Sequence, residues 1–128
     1  MRDWWQFGWC WAAARLDDGL RVHWADIRIP GMAVFFGYLQ GDGAVRPLEG
    51  LSVTEDLGSE GFPTTGHATV APGALEVVID PLCFAPILLT GPEGRVSRFP
   101  RALACFSASD GRAGVGWVEW NQPEGLPG

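Results

Sequence analysis

The sequence predicts an all-β domain, an antiparallel meander of about nine strands closed into a barrel. Turn signals whose residues tolerate positive φ recur along the chain and separate runs rich in β-branched and aromatic residues. Six of the seven tryptophans lie within the first eleven or the last twelve residues. Because large aromatic side chains bury about 150–250 Å² each, we expect the two chain ends to pack together as neighbouring first and last strands. A sandwich in which each end packs separately into one core is the alternative.

The turn signals divide the chain into nine predicted strands. The turns contain Asp17-Asp18-Gly19, Gly41-Asp42-Gly43, Pro72-Gly73, Gly91-Pro92-Glu93-Gly94 and Ser109-Asp110-Gly111. The predicted strands cover residues 4–16, 20–29, 33–40, 44–55, 65–71, 74–79, 84–90, 95–107 and 112–121. Hairpin connections make neighbouring strands antiparallel. The longest irregular connection, residues 57–63, is predicted to form a loop at the barrel mouth.

Length and composition indicate one globular domain. Of the 128 residues we assign 1–121 to the barrel and 122–128 to a C-terminal tail. The net charge of −6 and the absence of any basic cluster argue against nucleic acid as a partner. No apolar run approaches the roughly 20 residues of a membrane-spanning helix, and the N-terminus lacks the apolar core of a signal peptide. The sequence therefore predicts a cytoplasmic protein without a membrane span.

The cysteine and motif content disfavours several kinds of chemistry. Cys10, Cys83 and Cys105 are dispersed in apolar runs, which is typical of buried free thiols rather than of disulfides or zinc sites. The chain has two histidines, His23 and His67, and no phosphate-binding, nucleophile-elbow or zinc-protease motif. We therefore expect no cofactor and no metal.

Four tryptophans are predicted to line a binding site. Trp9 and Trp11 share one face of the first predicted strand, because alternate residues of a strand point to the same side. Together with Trp24 and Trp117, they are expected to form the walls of a site for an apolar ligand and to stabilise a carbocation by cation–π attraction. The opposite face of the first strand carries small residues, so one face is expected to line the interior and the other to be covered.

The orientation of His23 and Asp26 depends on the first turn. The two residues are three positions apart and therefore point to opposite faces of one strand. A two-residue turn places Asp26 beside Trp9 and Trp11, whereas a three-residue turn places His23 there instead. The sequence leaves both arrangements open, and solvent-facing positions are the alternative for each residue.

Glu119, Tyr38 and two arginines complete the candidate site. Glu119 lies among apolar residues, so burial in the lumen would raise its pKa and suit it to proton transfer. An ion pair with Arg98 or Arg101 is the alternative, and these arginines are also candidates for binding an anionic ligand group. The hydroxyl of Tyr38 is predicted to orient a ligand, unless Tyr38 belongs to the core.

Four segments carry a resemblance to a known family. They are Arg2-Asp3-Trp4-Trp5, Trp9-x-Trp11 followed by Leu16-Asp17-Asp18-Gly19, Arg95-Val96-Ser97-Arg98-Phe99-Pro100-Arg101, and Gly116-Trp117-Val118-Glu119-Trp120. The chain resembles a bacterial family of lipocalin-like proteins that is distantly similar to hydroxyneurosporene synthase, the carotenoid 1,2-hydratase. This resemblance implies a lipocalin-like barrel with a ligand in its lumen, and acid/base residues supplied by either barrel of a two-barrel protein. By this resemblance we expect the chain to correspond to the C-terminal barrel alone. The histidine- and glycine-rich stretch that usually precedes the Arg-Asp-Trp element in the family is absent here.

These observations predict a small barrel that binds a terpenoid, carotenoid-like or steroid-like ligand. Cofactor-free hydration, isomerisation or cyclisation would use Glu119 or Asp26 as the proton donor, with His23 as a further candidate. The alternative is a non-catalytic module that pairs with a partner barrel or forms a homodimer. The sequence leaves open whether the protein is an enzyme.

Overall fold

The computed structural model describes residues 7–91, 94 and 96–123, without the side chain of Leu89. Within these residues the chain forms β-strands connected by turns, one of which, Asp17–Gly19, is a 3-10 turn. The strands are β1 (Gly8–Leu16), β2 (Arg21–Ile29), β3 (Met32–Gly41), β4 (Ala44–Pro47), β5 (Gly50–Leu57), β6 (Pro63–Ala71), β7 (Leu75–Phe84), β8 (Ile87–Thr90), β9 (Val96–Phe99), β10 (Arg101–Ala108) and β11 (Ala113–Pro123).

The strands form an antiparallel sheet that curls into a lipocalin-like half-barrel. Its hydrogen-bonded order is β4-β3-β2-β1-β11-β10-β7-β6-β5, and a β8-β9 hairpin is attached to the end of β11. The first and last strands are neighbours, paired from Trp9 opposite Asn121 to Leu16 opposite Gly114. The predicted fold class and the predicted pairing of the chain ends are therefore confirmed. Trp4 and Trp5, which contributed to that prediction, lie outside the described residues.

Prolines and corners shift several strand boundaries from their predicted positions. The predicted strand 44–55 is divided by a corner at Leu48-Glu49 into β4 and β5, and the strand 95–107 is divided at Pro100 into β9 and β10. Proline lacks a backbone N–H, so it interrupts a ladder of hydrogen bonds. Another predicted strand, 74–79, continues to Phe84 as β7.

The barrel interior is filled by an apolar core in which small and large residues face each other. β1 contributes small side chains such as Cys10 and Ala12, both fully buried. Large side chains from other strands, including Trp24, Phe106 and Trp120, fill the space that these leave. Interdigitation of this kind gives the dense packing of protein interiors. The aromatic face of β1 is consequently its outer face.

The sheet is open between β3 and β5, and we call this opening the seam. β5 pairs only with β6, while residues 32–36 of β3 pair only with β2. At one end the corner between β4 and β5 crosses the opening, since the backbone N–H of Leu48 donates to Gly37 O (3.0 Å) and that of Glu49 donates to Ala71 O (2.8 Å). Along the rest of the seam, side chains make the connection.

The two ends of the barrel differ. One end, which we call the hairpin end, carries the turns between β1 and β2, β3 and β4, β6 and β7, and β10 and β11. The opposite end, which we call the seam end, carries Gly8, Arg28 and the loop between β5 and β6. No helix among the described residues is long and apolar enough to cross a membrane.

Candidate functional site

Three charged side chains meet across the seam. Asp26 and Arg28 lie two positions apart on β2 and therefore share its inner face. Arg28 reaches across to Glu55 of β5: its Nη1 donates to Glu55 Oε1 and its Nη2 donates to Glu55 Oε2 at 2.8 Å. The Nε of Arg28 donates to Asp26 Oδ2 at 3.3 Å. This bidentate ion pair, the geometry in which Arg–carboxylate bonds are strongest, closes the seam where the sheet does not.

The two carboxylates of this cluster differ in how well they are compensated. Both terminal nitrogens of Arg28 bind Glu55, which leaves only one longer hydrogen bond for Asp26. The side chains of Asp26 and Glu55 are 20% and 13% exposed. Burial raises the pKa of Asp26 above its ordinary value, although Arg28 opposes this. Burial would lower the pKa of Arg28, but its bonds and charge interaction with Glu55 dominate and raise it. Asp26 is therefore the acid of this cluster that holds its proton more tightly than a free side chain.

Beneath these charges lie a thiol and two indoles. Cys10 pairs across strands with Asp26 on one side and Trp120 on the other. Burial raises the pKa of Cys10 to about 12, so it stays a neutral thiol at physiological pH. The indole of Trp24 interacts with the Cys10 thiol, whereas, among the described residues, the buried Nε1 of Trp120 has no hydrogen-bond partner. An unsatisfied buried donor costs about 1–3 kcal/mol, so the Trp120 N–H is a candidate donor to a ligand oxygen.

The indole of Trp120 extends toward the wall that carries Glu55. Its Cζ2 atom, which adjoins the N–H edge of the ring, lies 3.5 Å from the position that a Cβ on Gly66 would occupy. Gly66 is the cross-strand partner of Glu55. A glycine at this point leaves room for the indole, and the Trp120 N–H edge lies beside the wall that carries the Arg28–Glu55 pair.

The loop predicted at the barrel mouth lies at the seam end and is tethered. Within it, Gly58 N donates to Phe62 O (2.8 Å) and Gly61 N donates to Gly58 O (3.0 Å). Arg98 donates from Nη2 to Glu60 O at 3.0 Å, and its guanidinium carbon lies 4.8 Å from the centre of the Phe62 ring. Arg98, a predicted ligand residue, therefore holds this loop in place.

Most of the other predicted site residues lie on the outer face of the sheet. Trp9, Trp11 and Trp117 were expected to line the lumen, and this expectation is wrong because the curl of the sheet turns the small face of β1 inward. Trp9 is covered by Phe99, with ring centres 5.3 Å apart. Trp117 is 52% exposed. Of the four tryptophans predicted as walls, the structure places Trp24 inside the barrel.

The outer face carries aromatic residues that are exposed or half-buried, and we call them the outer band: Trp11, His23, Phe36, Tyr38 and Trp117. The His23 ring lies between Trp11 and Tyr38, at centre distances of 5.5 and 5.2 Å. His23 is opposite Ala13, as the three-residue turn predicts, so the turn Asp17–Gly19 resolves the register left open by the sequence. Burial lowers the pKa of His23.

Glu119 also lies on the outer face and is engaged there. It accepts a hydrogen bond from Trp9 Nε1 at 3.2 Å, and its Oε1 lies 4.0 Å from Arg101 Nη1. Of the two arrangements left open for Glu119, the structure shows the contact with Arg101 and not a position in the lumen. The structure does not bring Glu119 together with Asp26, which lies on the inner face of β2.

The predicted site residues thus divide into one group on the inner face of the sheet and one on its outer face. The chain matches one protein family over a range that includes both groups. A family described as a domain of unknown function (DUF7064) matches residues 1–124. The chain belongs to the DUF7064 family. A comparison of this chain with the sequences of curated proteins gave no match. The finer relation to hydroxyneurosporene synthase stays a prediction.

Two solved structures share the fold of this DUF7064 domain. Kievitone hydratase from Nectria haematococca superposes with a TM-score of 0.66 at 15% identity. A protein from Nitrosomonas europaea assigned as an AttH superposes with a TM-score of 0.62 at 22% identity. Each match covers 88% of this chain but 38% of the other. The DUF7064 domain therefore spans less than half the length of these structures, and at such identities the likeness shows the fold alone.

Sequence reasoning missed the partners of Asp26. Arg28 follows Asp26 at the spacing of two that places both side chains on one face of a strand, a signal that was available. Glu55 lies 27 positions from Arg28 on the far side of the seam, so no local spacing indicated it. Trp120 was part of a recognised motif, yet its position inside the barrel depends on which face of β11 turns inward.

The raised pKa of Asp26 predicts a pH-dependent effect of Asp26→Asn. The pKa of Asp26 is higher in the folded protein than its ordinary value of 3.8, so the folded protein binds this proton more tightly than the unfolded chain does. The wild type therefore loses stability as the pH rises from the unfolded-state pKa through the folded-state pKa. Asparagine does not ionise and avoids this loss. We therefore expect the unfolding free energy of D26N, measured in urea relative to that of the wild type, to be higher at about pH 7 than at about pH 4. An equal difference at both pH values would contradict the raised pKa.

Proposed function

We propose that this domain binds an apolar small molecule at the seam end and that Asp26 exchanges a proton with it. The observation that carries the proposal is a mostly buried carboxyl group, with a raised pKa, at the edge of the apolar core of the barrel. Small-molecule sites typically combine apolar walls with a few placed polar groups. The sequence-based candidates for the ligand are terpenoid, carotenoid-like and steroid-like compounds.

The surroundings of Asp26 support acid/base chemistry without a cofactor. Protonated Asp26 can transfer its proton to one carbon of a ligand double bond, whose π electrons form the new C–H bond. Water then adds to the cationic carbon and returns a proton to the Asp26 carboxylate, so the net reaction is hydration. Trp24 and Trp120 lie where their rings can stabilise the cation. Kievitone hydratase is by name a hydratase with this fold, which favours this reaction class.

The seam supplies a route by which a ligand can reach Asp26. No ladder of hydrogen bonds joins β3 to β5, and the Arg28–Glu55 pair connects the two walls of the opening. The Arg28 side chain is 35% exposed, so solvent reaches the ion pair at the seam. Displacing one ion pair requires less rearrangement than separating two strands. The unpartnered indole N–H of Trp120 would donate to an oxygen of the ligand.

Binding can be tested by tryptophan fluorescence with a panel of polyprenoid, carotenoid-like and steroid ligands. We expect saturable quenching in the wild type and in Trp117→Phe, which removes an exposed emitter on the outer face. Trp24→Phe and Trp120→Phe should each lose much of the response. No response from any ligand, or a response that disappears only in Trp117→Phe, would overturn binding at the seam end.

Catalysis is tested by turnover of whichever ligand binds. Asp26→Asn should lower the rate by about 10²-fold or more, the contribution typical of a general acid. Asp80→Asn, which changes an exposed carboxyl group elsewhere, is the matched control and should leave the rate unchanged. Loss of turnover in Glu119→Gln but not in Asp26→Asn would move the reacting proton to the outer face and overturn the assignment to Asp26.

The outer band favours a second candidate function, a non-catalytic module that pairs with another barrel. Phe36 and Trp117 are 58% and 52% exposed, and Val115, two positions before Trp117 on the same face of β11, is 57% exposed. Contiguous exposed apolar patches of this kind mark interaction surfaces. The chain spans 38% of each of the two solved structures with its fold, so a further barrel, from another chain or a second copy, is the partner proposed here.

This candidate predicts that the outer band controls self-association and dye binding. Phe36→Ser and Trp117→Ser should each reduce binding of an apolar-surface dye and shift any dimer toward monomer in sedimentation experiments, because they remove exposed apolar area. Val45→Ser, at a 59% exposed position of the edge strand β4, is the matched control. A strictly monomeric protein that binds no dye would contradict this second function.

A further inference from the structure

A second cavity lies at the hairpin end of the barrel, opposite the cluster around Asp26. Its volume is about 350 Å³, which is within the range of about 300–1,000 Å³ typical of small-molecule sites. Its floor is apolar and nearly buried, and consists of Leu20, Leu39 and Leu75. Its rim is polar and consists of Arg46, Ser109, Asp110 and Arg112. The cavity therefore combines an apolar base with charged edges.

Arg46 is the cation of this rim that points toward the apolar floor. It pairs across strands with Leu39, so the two side chains share the inner face of the sheet. Among the described residues, Arg46 makes no ion pair and no side-chain hydrogen bond. The Arg46 side chain is exposed at the mouth of the cavity, where its guanidinium can bind an anion with paired hydrogen bonds.

Two carboxylates near the cavity, Asp110 and Asp18, are engaged by Arg112 and make no ion pair with Arg46. Asp110 accepts hydrogen bonds from Arg112 Nη2 at 2.6 Å and Nε at 2.9 Å, as well as from the Arg112 backbone. Asp18 accepts from Leu20 N at 3.2 Å and lies 3.5 Å from Arg112 Nη1. These bonds occupy Arg112, so Arg46 is the arginine of the rim that is available to a ligand.

We propose that the hairpin-end cavity binds a monocarboxylate with a short apolar chain. Arg46 would bind the carboxylate, and the three leucines of the floor would bury the chain. The planar fork of a single arginine without an ion-pair partner matches one carboxylate, and the neighbouring carboxylates of Asp18 and Asp110 disfavour a dianion such as a phosphate monoester. This site lies at the opposite end of the barrel from Asp26 and does not depend on the function proposed there.

The test is an NMR titration of the full chain with octanoate, using octanol as the neutral ligand of the same length. We expect octanoate to shift the amide signals of Gly73 and Gly111 and the Nε–H signal of Arg46, and octanol to bind at least about tenfold more weakly. Arg46→Gln should weaken octanoate binding by a similar factor. Arg15→Gln, which removes an exposed arginine of the outer face, is the matched control and should bind like the wild type, as should Asp26→Asn.

Three results would each overturn the proposal. The first is equal octanoate affinity in the wild type and Arg46→Gln, and the second is octanoate shifts confined to the seam end or the outer band. The third is self-association of Arg46→Gln with no octanoate binding by the wild type, which would mean that Arg46 only protects the edge strand β4 from pairing. Because Arg46 is exposed, the variant is expected to fold, and its amide spectrum checks this directly.

Discussion

Replacing Gly116 by alanine is expected to destabilise the protein by about 3 kcal/mol or more. Gly116 lies on β11 opposite Ala14 of β1, in the ladder that joins the two ends of the chain. A Cβ at this position would overlap the carbonyl oxygen of Ala13 and lie 2.6 Å from the Cα of Ala14. Because both contacts are with backbone, the strands themselves must move apart. Thermal unfolding should show a fall in Tm of roughly 10 °C or more.

Gly50→Ala is the matched control for this substitution. Gly50 also lies in a strand, but a Cβ there would meet the Ala71 Cβ at 3.4 Å, an ordinary contact. We expect its stability to stay within about 0.5 kcal/mol of the wild type. If Gly116→Ala were equally harmless, the close approach of β1 and β11 would be contradicted.

Removing Arg28 is expected to cost about 2 kcal/mol of unfolding free energy. Breaking a fully buried ion pair costs about 3–5 kcal/mol, and an exposed pair contributes about 1 kcal/mol or less. The Arg28–Glu55 pair lies between these limits, because its side chains are 35% and 13% exposed. Arg28→Met leaves the Glu55 carboxylate at the seam with no cation bound, which is the origin of the cost.

A double-mutant cycle separates the pair from its surroundings. Arg28→Met, Glu55→Leu and the double variant should give an interaction energy above about 1 kcal/mol, as is typical of groups in direct contact. Arg101→Met is the control, since its 4.0 Å contact with Glu119 joins side chains that are 45% and 26% exposed. It should cost less than about 1 kcal/mol. An interaction energy near zero for Arg28 and Glu55 would contradict an ion-pair closure of the seam.

The sequence was sufficient to predict the fold class because its strongest signals are local. Turns such as Asp17-Asp18-Gly19 require positive φ, and both Asp18 and Gly19 adopt it, so the hairpins could be located directly. The distribution of tryptophans at the two chain ends predicted the pairing of β1 with β11. Both signals depend on residue type and order, and neither requires knowledge of how the sheet curls.

The orientation of the strands could not be predicted because it depends on packing across the barrel. The face of β1 with Trp9 and Trp11 is more apolar than the face with Cys10 and Ala12, and hydrophobicity alone would turn it inward. The interior instead accepts the small face, since Trp24 and Trp120 from neighbouring strands already fill the space. For the same reason the acid Glu119 lies outside the barrel, whereas Asp26 lies inside it.

The pairing of β1 with β11 also has a consequence for folding kinetics. It joins residues as far apart as Trp9 and Glu119, which are separated by 110 positions. The entropy of closing such a long loop must be overcome before these contacts form, and chains dominated by distant contacts fold slowly. During synthesis, β1 can pair with β2 but lacks its second neighbour until β11 has emerged from the ribosome. We therefore expect the rate-limiting step of folding to be the docking of the last strand between β1 and β10.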